Sequence, residues 1–182
     1  MDGTYHVLGI ASIVVLAIGL ALLGVKWPLG IHRTFSQHAA QSRGLSVYYF
    51  VLFALTLPCI SLMFLYDLTP KYGVSVTTNL LVIAASFLQI SCTLFPETSG
   101  ASLRAHRILS GLSAVLLPFA LFTLSSAPNL PSHLQQIALL GCLIMFSSWI
   151  FAALYRYRFA LVQQTVYFGV FFGTVIALGC NI

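Results

Sequence analysis

A chain of 182 residues that is 59% hydrophobic and only 6% charged cannot wet the surface of a water-soluble domain, which is normally about a quarter charged. Most of its exterior must therefore face lipid. Its net charge of +5 comes from basic residues that fall between apolar segments, which argues for orientation in a membrane rather than nucleic-acid binding.

Runs of about twenty apolar residues predict six membrane helices, at about 6–24, 47–66, 77–96, 108–127, 136–155 and 159–180. The expected fold is an all-α, six-helix bundle in a single membrane domain, 1–182, with no soluble domain. The first run has no basic segment before it and is too long for the apolar part of a signal peptide, so it reads as a retained helix. Lys26, Arg33 and Arg43 fall in the first connection, Arg104 and Arg107 in the third, Arg156 and Arg158 in the fifth. The other side holds only Lys71. This asymmetry predicts cytoplasmic odd connections and both termini outside.

In the first connection, TFSQHAAQSRG places Thr34 and Gln37 at capping-box spacing, which predicts a helix from near Phe35 that runs on into the second span. Pro70 and Gly73 break the second connection, where Asp67 and Lys71 can pair. The third connection, LFPETSGASLRAHRILSG, carries Glu97, one of only three carboxylates. Pro96 helps end the third span. A carboxylate at that depth needs a partner, which Arg104, Arg107 or a histidine can supply.

Pro128 and Pro131 break the fourth connection, and the tight RYR turn of the fifth makes the last two spans an antiparallel hairpin. Gly169 and Gly173 form a G-x-x-x-G, read first as a packing groove within the chain and second as a homo- or hetero-oligomer face. Gln89, Gln163, Gln164 and Asn79 are expected to satisfy one another across helices. Cys59, Cys92, Cys142 and Cys180 stand singly in apolar stretches and read as packing residues.

Sorting polar groups by side puts His32, His38, Glu97 and His106 with the basic residues, and His6, His133, Asp2 and Asp67 opposite. The bland reading of Glu97 is an ion pair that fixes spans three and four. The sharper one is a polar ligand site at the membrane boundary, with Glu97, Arg104, His106, Arg107, His38 and Arg43 as candidates. Arginine recognises phosphate bidentately, and anionic headgroups abound on the cytoplasmic leaflet. His38, His106 and Glu97 would be a legitimate zinc set, but no H-x-x-x-H or H-E-x-x-H supports it and no metal is assigned. No span has a central histidine for haem or a lysine for retinal, so no cofactor is expected. HRTFS at 32–36 echoes HRILS at 106–110, which reads as coincidence.

TFSQHAAQSR and LFPETSGASLRAHRILSG together resemble a six-helix bacterial family related to the damage-regulated autophagy modulator (DRAM) superfamily. Phe95, Pro96, Glu97 and His106 match its pattern of a Phe-Pro and an acidic residue after span three, then a histidine opening span four. Family members often have an aspartate where this chain has Glu97. The resemblance implies a six-span bundle associated with lipid organisation and implies no reaction. The expected function is binding or organising membrane lipid, including anionic phospholipid, or another amphiphile at the cytoplasmic face. The alternatives are a membrane-embedded enzyme acting on a lipid or isoprenoid and a facilitator of a neutral solute. The absence of a nucleophile–base pair or metal motif weighs against the enzyme.

Overall fold

The structure, a computed structural model, describes residues 3–26, 30, 32–155 and 158–180. Asp2 and Arg156, assigned above to opposite faces, lie outside the described residues. The helices are α1 (Thr4–Lys26), α2 (Phe35–Ala39), α3 (Arg43–Met63), α4 (Thr69–Tyr72), α5 (Val76–Thr93), α6 (Gly100–Leu124), α7 (Ser132–Leu154) and α8 (Ala160–Cys180). A π-helical turn, Phe64–Leu68, joins α3 to α4, so these read as one span from Arg43 to Tyr72. Among the described residues six helices are long and apolar enough to cross a membrane, and no strand occurs. The chain is an all-α, multi-pass membrane protein.

Three local expectations need correction. The capping box forms, but α2 stops at Ala39 because Ser42, in extended backbone, caps a new helix by accepting from the Leu45 amide at 3.2 Å. Pro70 does not break its helix; the wide turn before it makes room for a ring that would clash in a regular α-helix. Gly73, at φ 68°, ends that helix instead. α6 begins at Gly100 with two turns that precede the apolar run, which places His106 in its second turn. Finally, Asp67 pairs with His6 Nδ1 of α1 at 2.9 Å, while Lys71 Nζ reaches the Gly179 carbonyl at 3.5 Å.

Helices adjacent in sequence pack together, most extensively α5 with α6, α1 with α3 and α7 with α8, and α8 returns to α1. Phe53, Leu16, Met63, Leu121, Met145 and Leu178 are fully buried. Lipid is as apolar as this core, so close packing and interhelical hydrogen bonds must hold the helices together. Tyr48 donates to the Gly19 carbonyl at 3.1 Å, Ser113 to the Ala85 carbonyl at 2.9 Å and Thr78 to Thr123 at 2.8 Å. Gly9 lies against Met63, and Gly19 against Leu52. Gly169 and Gly173 behave oppositely: a Cβ at either would meet nothing within 4 Å. The expected groove within the chain is absent there, because α8 turns that face outward.

The alternation of spans gathers the first, third and fifth connections at one end. Hydrogen bonds confirm the gathering, from Thr34 to Glu97, from the Phe35 amide to Gln164 and from His32 to the Arg158 carbonyl. Arg33, Arg43, Arg104, Arg107 and Arg158 lie at this basic end, and all five are exposed. His6, Asp67 and Lys71 lie at the other.

Candidate functional site

Glu97 is the centre of the basic end. Its side chain is only 7% exposed, yet its closest partners are neutral. Thr34 Oγ1 and Ser36 Oγ donate to Oε2 at 2.7 and 2.6 Å. Gln37 Nε2 donates to Oε1 at 3.1 Å. These donors are held by the capping box, in which the Thr34 amide donates to Gln37 Oε1 at 3.2 Å and the Gln37 amide to Thr34 Oγ1 at 3.1 Å. Gln37 thus serves the cap with its oxygen and Glu97 with its nitrogen.

The cationic neighbours stand farther off. Arg107 Nε is 3.9 Å from Oε1, with its side chain 66% exposed. His106 Nε2 is 4.0 Å from Oε2. His106 Nδ1 lies 2.9 Å from the Cys92 carbonyl and 2.8 Å from that of Phe95. Carbonyls only accept, so Nδ1 carries the proton; His106 adds a donor to the Cys92 carbonyl, which already accepts from the Phe95 amide at 3.1 Å, and to the Phe95 carbonyl just past α5.

Beneath this cluster a cavity of about 450 Å³ opens between the helices. Thr34, Ser36, Gln37, Glu97, His106 and Arg107 line its mouth. From His106 to Leu117 it follows α6 for about 16 Å at the helical rise of about 1.5 Å per residue. Its deep wall is apolar, with Ala114, Leu117 and Phe168. Tyr167 also lines it but donates its hydroxyl to the Ala114 carbonyl. A second depression, on the outer side of Glu97, is lined by Arg33, Gln37, Gln41, Glu97, Thr98 and Arg107. Glu97, Gln37 and Arg107 therefore line both spaces.

Of the sequence candidates, the structure brings Glu97, His106 and Arg107 together. Arg104 is exposed, makes no ion pair among the described residues and lines neither space. Arg43 is exposed and away from both. His38 is fully buried, with Nδ1 at 2.7 Å from the Thr34 carbonyl, which places it behind the cap rather than in the cavity. Among the described residues no three His, Cys, Asp or Glu side chains converge as a metal set.

The glutamines do not satisfy one another. Gln164 accepts from the Phe35 amide at 2.9 Å, and Asn79 donates to Thr69 at 2.9 Å. Gln89 and Gln163 line the cavity. His32 and Ser36 of the first echoed motif and His106 and Ser110 of the second line it as well. Tyr49 was not singled out in the sequence; nothing distinguishes it there from seven other tyrosines. Comparison with family models, curated proteins and solved structures finds no match to this chain, so its resemblance to the DRAM-related family rests on the residues quoted above.

Proposed function

We propose that this chain is a bacterial inner-membrane protein that holds an amphiphile at the cytoplasmic boundary. The hydrocarbon lies in the cavity along α6 and the polar head lies near its mouth. The observation that carries this reading is the gradient within one cavity, from the polar cluster around Glu97 to the apolar wall of Leu117 and Phe168. Exposed arginines around the mouth would meet anionic headgroups of the surrounding leaflet. Three donors already occupy the Glu97 oxygens, which supports a holding site over a reacting one.

Gly111 provides the test. It lines the cavity, and a Cβ there would meet nothing within 4 Å, so Gly111→Leu fills the space without displacing a helix. Gly169→Leu adds the same bulk outside the cavity. Native mass spectrometry of protein extracted in mild detergent is expected to show a retained amphiphile in the wild type and Gly169→Leu, and at least about tenfold less in Gly111→Leu. Equal retention in all three would discard the cavity as the holding site.

Orientation is tested separately. A reporter active only outside the cytoplasm, fused after residue 182, is expected to be active. Cytoplasmic accessibility of both termini would put the basic end on the outer face and remove the headgroup argument.

A further inference from the structure

The groups facing the cavity also bear on the chemistry of the head it accepts. Tyr49 is 4% exposed and lines the cavity, yet its hydroxyl makes no hydrogen bond among the described residues. The Gln89 and Gln163 amides line the same space and likewise make no side-chain hydrogen bond among the described residues. No buried side-chain polar atom is left without a partner among the described residues, so this hydroxyl and these amides open into the cavity, where a polar group can meet them. Together they offer both donors and acceptors, and none carries charge.

The charged groups at the mouth are already balanced. Glu97 holds three donors and faces Arg107 and His106. An anionic head drawn inward would meet this carboxylate with no buried arginine or lysine lining the cavity to receive it. A cationic head would find most of the carboxylate's acceptor sites taken and Arg107 standing beside it. Either charge would also lose its hydration.

Resting on the reading of the cavity as an amphiphile site, we propose that the head reaching Tyr49, Gln89 and Gln163 is uncharged and bears a hydroxyl. The occupant is then a neutral, single-chain lipid alcohol, of the monoacylglycerol or isoprenoid-alcohol kind. One chain suits a space of about 450 Å³, toward the smaller end of small-molecule sites.

Four probes of similar chain size separate the possibilities: monooleoylglycerol, geranylgeraniol, oleate and oleoyl lysophosphatidylglycerol. Each is titrated into delipidated full-length protein in detergent and counted by native mass spectrometry. At least one neutral alcohol is expected to bind one to one, at least tenfold more tightly than either anion. Gly111→Leu should abolish that binding, and Tyr49→Phe and Gln163→Leu should each weaken it about five- to tenfold. Preference between the two alcohols assigns an acyl or an isoprenoid chain.

An anion that binds as tightly as the alcohols, and is blocked by Gly111→Leu, overturns the uncharged head while leaving the amphiphile cavity standing. Neutral binding indifferent to both Tyr49→Phe and Gln163→Leu overturns it too. If no probe binds in a manner sensitive to Gly111→Leu, the cavity reading itself fails and this inference with it.

Discussion

Glu97→Ala is expected to destabilise the protein by about 3–5 kcal/mol, the range for removing one partner of a buried charged network. The carboxylate joins the first connection to the third, and its loss leaves the Thr34 and Ser36 hydroxyls and the Gln37 amide without their acceptor. Glu97→Gln should cost less, about 1–3 kcal/mol. Its amide oxygen can replace Oε2, but its NH₂ then opposes Gln37 Nε2. Gln37 cannot turn over to help without giving up the bond that its oxygen makes to the Thr34 amide. Denaturation midpoints in detergent for the two variants measure this order. A Glu97→Gln variant as unstable as Glu97→Ala would mean that the charge, acting on Arg107 and His106, outweighs the three neutral donors.

Gly9→Leu is expected to cost about 3 kcal/mol or more, at or beyond the usual range for overpacking. A Cβ at residue 9 would lie 2.3 Å from Met63 Sδ and 2.6 Å from Met63 Cβ. The second contact is at the root of the side chain, so rotation at its far end cannot relieve it and α1 must move off α3. Gly169→Leu, facing open space, should change stability by no more than about 0.5 kcal/mol. The same denaturation assay compares them. Tolerance at Gly9 with collapse at Gly169 would show that α1 is peripheral and that the G-x-x-x-G face of α8 makes the important contact.

These glycines show where sequence reading stops. A G-x-x-x-G establishes that two small residues share a helix face, but nothing in that spacing says whether another helix covers the face. Gly9 and Gly19 lack the motif and make the tight contacts. The six spans were legible because lipid demands long apolar runs whatever they pack against. The capping box was legible because both its residues lie within one turn. Glu97 stood out by rarity, but its donors did not. Charge matching points to arginine, whereas hydroxyls and an amide solvate the carboxylate without burying a guanidinium. Arg107 accordingly stays exposed. The cavity was hidden for a related reason. Tyr49, Gln89 and Gln163 come from three different helices, and only the packing of those helices brings them to one space.

The separation in sequence between Glu97 and its donors also has a consequence for biosynthesis. Thr34, Ser36 and Gln37 precede Glu97 by 60 to 63 positions, and Phe35 precedes Gln164 by 129. At about 5–20 residues per second, the ribosome needs about 3–12 s to supply the carboxylate and about 6–26 s to supply the glutamine. During that interval α2 has its local cap but neither distant anchor. The first hairpin must therefore enter the bilayer with this end still hydrated, and the basic end closes only after translation has nearly finished. A ribosome stalled between residues 70 and 90 would leave α2 accessible to water-soluble labels, and release of the finished chain would protect it.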